Sequence, residues 1–291
     1  MKTNAIQKVY VIYKRSVYDK YVLEQKDKRL LALLKAKHPT TKNLIKNHDN
    51  HLRSLDHVEK ILKKLGLKFT TVQRANIKNI QRYDLVVTIG GDGTFLRTSH
   101  HIKDQLLLGM NSSPQFSVGN FCTVVKENFE QKMIRLLSGD CDIRLLHRMR
   151  IAINGGTLPI EPINDLLYTS ISPAATSRYM IKFNRKAEEH KSSGIWVSTA
   201  VGSTAAIKAA GGLKQTMGDD RLQFLTREPY QGIFNPYQLI QGFVNPKQKL
   251  TLVSKMLDSK LYLDGPTVCY SLEYGDKLEV SLSKNRLKMV G

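Results

Sequence analysis

Asp84-Leu85-Val86-Val87-Thr88-Ile89-Gly90-Gly91-Asp92-Gly93-Thr94-Phe95 is the stretch on which the fold turns. Residues 84–89 form a short, continuous apolar run, the pattern of a strand buried on both faces of a parallel sheet. A glycine-rich turn follows, and Phe95 to Ile102 then has helical spacing. Working outward, Val9-Tyr10-Val11-Ile12-Tyr13 reads as a first strand and Tyr21 to Lys37 as a helix. Residues 38–52 are polar, start at Pro39 and read as a loop. Leu55 to Leu65 is a second amphipathic helix with Gly66 as its C-cap. Lys68 to Val72 and Leu106 to Gly109 complete the strands. The first third is therefore β-α-β-turn-α-β, an open α/β layer.

After about residue 113 the segments shorten and strands dominate. They are read at 142–146, 149–153, 165–170, 179–183, 194–199, 249–254, 260–263 and 277–281. Turn signals such as Asn154-Gly155-Gly156 and Asp264-Gly265 separate them. The expected division is an α/β domain over 1–112 and a β-rich domain over 113–271.

The 291 residues are 41% hydrophobic and 24% charged, enough to bury a sizeable core. No apolar stretch is long enough for a membrane helix. The polar first residues run straight into a strand, leaving no room for a signal peptide. Three distant cysteines, Cys122, Cys141 and Cys269, form no CxxC pair, which fits a reducing cytoplasm. The net charge is +20, and residues 1–66 hold 16 Lys/Arg against 6 Asp/Glu. The scatter of these charges and the lack of any nucleic-acid signature favour a solvated exterior that gathers anionic nucleotides. The His38, His48, His51 and His57 group lacks carboxylate company, and His100 and His101 point about 100° apart on a helix, so neither suggests a metal site. Trp196 reads as a core residue.

Three segments carry chemistry. Glycines at 90, 91 and 93 let the backbone turn sharply and approach a ligand, and the helix N-terminus behind them favours an anion. A carboxylate at that spot, Asp92, would be repelled by a bare phosphate. It makes sense as a group that orients a hydroxyl, takes its proton or helps hold Mg²⁺. The second segment, Ser198-Thr199-Ala200-Val201-Gly202-Ser203-Thr204-Ala205-Ala206, follows the strand Ile195-Trp196-Val197. Its small residues either let a ligand lie against backbone or pack a helix tightly. The third is Asn164-Asp165 at the head of a strand. No Walker A lysine motif is present.

In this order, GGDGT at 90–94, Asn-Asp at 164–165 and SGIWVSTAVGSTAAIKAAGG at 193–212, the chain resembles the NAD kinase family. The resemblance covers most of the chain and extends to Asp264-Gly265 and Gly275-Asp276. It implies an open α/β N-terminal domain, a β-sandwich-like C-terminal domain and a final segment, about 272–291, returning to the first. It implies an ATP-dependent kinase acting on the adenosine 2′-hydroxyl of NAD or NADH, with Mg²⁺, as a cytoplasmic dimer or tetramer. Asp92 takes the catalytic position. Gly90, Gly91, Gly93, Thr94, Phe95 and Asn111 line the nucleotide side. Asn164, Asp165, Ser193, Ser198, Thr199, Ala200, Gly202, Ser203, Thr204 and Ala205 line the dinucleotide side.

Some positions depart from the family pattern. Ser193 stands where the family has Asp, Ala200-Val201 where it has Pro-Thr, and Ala206 where it has Tyr. Gly109 to Pro114, Gly119-Asn120-Phe121-Cys122, Ser192-Ser193-Gly194 and Arg227-Glu228-Pro229 look like the divergent NADH kinase branch known from plants. A lipid or small-alcohol kinase would share only the GGDGT turn, and a basic RNA-binding protein is the non-enzyme alternative.

Overall fold

In a computed structural model, which describes residues 6–116, 119–230 and 236–291, the chain divides into two units. One comprises Met1–Arg144 with Lys288–Gly291, the other Leu145–Leu287.

The first unit is built on parallel strands β1 (Lys8–Tyr13), β2 (Lys68–Gln73), β3 (Leu85–Gly90) and β4 (Leu106–Asn111), in the order β2-β1-β3-β4. Its helices are α1 (Lys28–Lys35), α2 (Leu44–Lys64), α3 (Asp92–Ser99) and α4 (Phe129–Leu137). Every residue of β3 is buried, as its continuous apolar run demands. Val9, Val11, Leu85, Val87, Ile89 and Leu108 from the sheet pack with Val58 and Leu62 of α2 and Phe129 and Met133 of α4. Strand β1 lies between β2 and β3, so the strand order reverses there. At such a switch point the connections diverge from the carboxyl ends of the strands and leave a crevice. The turn at 90–94 leaves the sheet at this place.

Two sequence readings change here. The helix expected over Tyr21 to Lys37 is broken: a π-helical turn covers Tyr18–Glu24, and α1 begins only after Asp27, whose side chain accepts from Leu30 N–H at 2.7 Å. The loop expected over 38–52 is mostly α2. Its inward face is His48, His51, Ser54, Val58, Ile61 and Leu62, a helical spacing whose first half is polar and therefore reads as loop. Two of the polar residues bond to side chains distant in sequence: His48 Nδ1 bonds Ser16 Oγ at 2.8 Å and His51 Nδ1 bonds Ser112 Oγ at 2.9 Å. Gly66 follows α2 with φ +69, as a C-cap glycine does.

The second unit contains most of β5 (Ile143–Ile153), then β6 (Gly156–Thr157), β7 (Asp165–Ser170), β8 (Ser177–Phe183), β9 (Lys186–Ser192) and β10 (Ile195–Ser198). A short helix, α5 (Ala206–Ala209), precedes β11 (Leu222–Thr226), β12 (Gln241–Val244), β13 (Leu250–Ser254), β14 (Ser259–Leu263), β15 (Val268–Leu272) and β16 (Lys277–Val290). One antiparallel sheet runs β12-β11-β10-β7-β14-β15. The other pairs β16, β13, β8 and β9, also antiparallel. Alternate residues of both sheets share one core, with Tyr168 against Tyr179 and Phe183 against Phe224, ring centroids 5.5 Å apart in each pair. This is the β-sandwich expected of the C-terminal part. The last residues of β16 belong to the first unit, where Lys288 and Met289 pair in parallel with Leu106 and Leu107 of β4.

The sequence reading begins its second domain at 113, whereas the first unit runs on to Arg144 because α4 packs Phe129, Met133 and Leu136 into its core. Residues 142–146 and 149–153, read as two strands, are the single β5. Among the described residues no helix is long and apolar enough to cross a membrane.

Candidate active site

The GGDGT segment is not a free loop. Gly90 ends β3, Gly91 is the N-cap of α3, and Asp92, Gly93 and Thr94 form its first turn. A Cβ on Gly90 would lie 2.5 Å from Thr94 Oγ1, so the turn closes only with glycine there. No side chain caps α3. Thr94 N–H donates to Gly91 O at 2.8 Å, and the amides of Asp92 and Gly93 before it remain available to an anion at the helix's positive end. Thr94 and Phe95 are buried, and Phe95 stacks on Phe121 with centroids 5.2 Å apart. Both serve the packing beneath the turn.

Asp92 is engaged by backbone amides. Its Oδ2 accepts from Asn120 N–H at 2.8 Å and its Oδ1 from Phe121 N–H at 2.9 Å. The carboxylate thus clasps segment 119–122 against the turn. The buried Cys122 thiol also bonds it; burial and then the charge of Asp92 push that thiol's pKa up. Asn111 ends β4 and is buried. It organises the next loop, accepting from Ser113 N–H at 3.0 Å, while a Cβ on Gly119 would come within 2.6 Å of its Nδ2.

In the second unit the Asn164-Asp165 pair and the small-residue segment form one cluster. Asp264 holds the pair by accepting backbone N–H groups from Ile163 at 3.1 Å, Asn164 at 2.8 Å and Asp165 at 3.2 Å. Asn164 Nδ2 donates to Asp165 Oδ2 at 2.9 Å. Thr199 N–H donates to Asn164 O at 3.1 Å, and its hydroxyl to Ile163 O. Gly202 packs so tightly that a Cβ there would lie 1.9 Å from Asn164 O. Its glycine thus serves a contact inside the protein. Asp165 is only 6% exposed, and burial, then the neighbouring Asp264, raise its pKa to about 7.

The remaining predicted residues differ in availability. Ser203 spends its hydroxyl on Ala200 O at 2.6 Å and receives Gln215 N–H at 2.9 Å. Ala200 is buried, whereas Thr204 is exposed and Ala205 half-exposed. Ser198 is buried with no partner for its Oγ among the described residues. Ser193 is half-buried, and its carbonyl accepts from Arg227 Nη1 at 3.4 Å. Trp196 is half-buried, with the Arg227 guanidinium 6.0 Å from its ring, so the core assignment holds only in part. Sequence reasoning quoted Asp264 but missed its work as the anchor of Asn164-Asp165. The signal was Asp-Gly in a turn, where the aspartate tends to bond nearby backbone.

Among the described residues no three His, Cys, Asp or Glu side chains converge as a metal site.

The family model described as ATP-NAD kinase N-terminal domain matches residues 6–141. A probable NADH kinase of Oryza sativa subsp. japonica is 31% identical over 263 residues, covering 82% of this chain and 81% of that protein. The chain belongs to the NAD kinase family. An NADH kinase of Arabidopsis thaliana is also 31% identical, covering 79% of this chain and 80% of its own length. Among solved structures, an NAD kinase from Archaeoglobus fulgidus in complex with ATP superimposes with TM-score 0.70 at 16% identity, covering 98% and 94% of the two chains. Yeast NADH kinase complexed with NADH gives 0.67, also at 16% identity, covering 99% of this chain and 84% of that one. These two establish the fold that this NAD kinase family member shares: an α/β unit and a β-sandwich.

Proposed function

We propose that this chain transfers the γ-phosphoryl group of ATP to the adenosine 2′-hydroxyl of NADH or NAD, giving NADPH or NADP. The observation that carries the reading is the placement of the family's turn: Gly90 to Thr94 sits at the strand-order reversal and forms the open end of α3. The turn amides bind triphosphate. The donor would arrive as its Mg²⁺ complex, which would neutralise phosphate charge. Catalysis is then largely positioning and charge neutralisation. Asp92 exchanges a backbone N–H for the substrate hydroxyl, orients it for in-line attack and takes its proton late. Asn164 and Asp165, locked by Asp264, hold the dinucleotide. A lipid kinase would need only the turn, and the locked pair in the second unit favours a dinucleotide instead.

The finer reading is a preference for NADH. The cationic nicotinamide ring of NAD gains from a nearby carboxylate, and Ser193 stands where the family has one. The expected result is a higher kcat/KM for NADH than for NAD. Ser193→Asp should shift the ratio toward NAD by up to about tenfold, equivalent to about 1.4 kcal/mol. An unchanged ratio in the variant places the selectivity elsewhere. Cytoplasmic location and assembly as a dimer or tetramer belong to the same reading; three free thiols support a reducing compartment.

A further inference from the structure

The carboxyl edge of the first unit's sheet carries cations that no motif predicted. Lys14 directly follows β1, and its N–H donates to Ile89 O at 3.4 Å, so it lies beside the end of β3. Its stem passes the turn: a Cβ on Gly90 would sit 3.5 Å from Lys14 Cδ. Arg74 directly follows β2 and reaches the other end of the turn, donating from Nη1 to Gly93 O at 3.2 Å. Arg97 rises from α3 close by. Burial, then Arg74, lower the Lys14 pKa, although Lys14 remains open to solvent; burial, then Arg97, lower that of Arg74. The neighbouring Arg15 is neutralised by Glu24. Among the described residues, no carboxylate lies in ion-pair range of Lys14, Arg74 or Arg97. The one carboxylate in the turn, Asp92, spends its oxygens on Asn120 and Phe121. Like charges gathered without a counter-ion repel one another, and a polyanion relieves that repulsion.

We propose that Lys14 and Arg74 bind the polyphosphate chain of the phosphoryl donor across the 90–94 turn, Lys14 from the Gly90 side and Arg74 from the Gly93 side. The proposal rests on the kinase reading above for the identity of the donor, and on the cation geometry alone for the polyphosphate. Lys14 makes no side-chain hydrogen bond among the described residues, so its removal leaves the turn's own contacts intact.

The test uses the full chain. Inorganic tripolyphosphate is titrated calorimetrically into wild type, Lys14→Met, Lys14→Arg and Arg74→Met, and KM is measured separately for ATP and for NADH. Tripolyphosphate should bind wild type. Each Met variant should weaken it about tenfold or more and raise KM for ATP similarly, as loss of a charge-assisted contact does. KM for NADH should hold within about twofold of wild type, and Lys14→Arg should recover most of the affinity. Circular dichroism checks folding; if Arg74→Met unfolds, Lys14→Met decides alone. Unchanged tripolyphosphate affinity and KM for ATP overturn the proposal. So does a rise confined to KM for NADH, which assigns the cations to the dinucleotide pyrophosphate. A wild type that binds tripolyphosphate through Lys14 yet phosphorylates no dinucleotide refutes the kinase reading and leaves this site standing.

Discussion

Asp92 is a clasp in the structure and the proton acceptor of the proposed reaction, and one substitution reads both. Asp92→Asn keeps the shape but offers one acceptor oxygen to two backbone donors, and turns an amide N–H toward the other. An unmet donor here is the exposed Asn120 N–H or the part-buried Phe121 N–H, so the cost is about 1 kcal/mol or less. The lost proton acceptor lowers kcat by about 10²–10⁴. Dinucleotide affinity should survive, because Asn164 and Asp165 lie in the other unit. Steady-state kinetics with a urea titration measure the two effects, and near-normal turnover sinks the assignment. Asp165 predicts a pH dependence. Its folded pKa of about 7 exceeds the ordinary 3.8, so between these values the folded state binds more protons than the unfolded one. This group's contribution to stability therefore falls as pH rises from about 4 to 7. Asp165→Asn removes that slope, and between pH 5 and pH 8 the variant should gain on wild type by up to about 3 kcal/mol. Urea midpoints at pH 5 and pH 8 check it; parallel curves would place the carboxylate in water.

Elements explain why some of the site was legible and some was not. The strand β3 and the turn after it were readable because every side chain of the strand is buried, so no polar residue interrupts the run. The first half of α2 was not, because its buried positions are His48, His51 and Ser54, and their partners Ser16 and Ser112 come from distant sequence. For His51, burial pulls the pKa down to about 4, so neutral solution finds it uncharged and suited to an interior face. The segment 198–205 was legible as a place where backbone comes close to something, but not as to what. The close contact is between Gly202 and the Asn164 carbonyl, which ties α5's approach to the head of β7. Gly202→Ala should therefore cost about 1–3 kcal/mol by overpacking. Because Asn164 must shift, KM for the dinucleotide should rise while KM for ATP stays put. A variant with wild-type stability and wild-type KM values would show that the segment has room to yield.

At the scale of the whole molecule the charge of +20 acts on anionic substrates. A positive field speeds encounter and is screened within about 10 Å at 0.1 M salt. The expected outcome is that kcat/KM for NADH falls steadily between low and moderate ionic strength while kcat changes little. A flat profile would mean that the basic exterior is too diffuse to steer.

The sequence by itself determined the two fold classes, the strand that carries the glycine turn, the three motifs and the family, because each motif depends on spacing within a few neighbouring residues. Tertiary structure alone decided the partners: that Asp92 closes on Asn120 and Phe121, that Asp264 holds Asn164-Asp165 from 100 residues away, and that Lys14 and Arg74 converge on one turn. A hydrogen bond or a shared charge depends on distance in space. Chain spacing does not encode that distance once a sheet has reordered its strands.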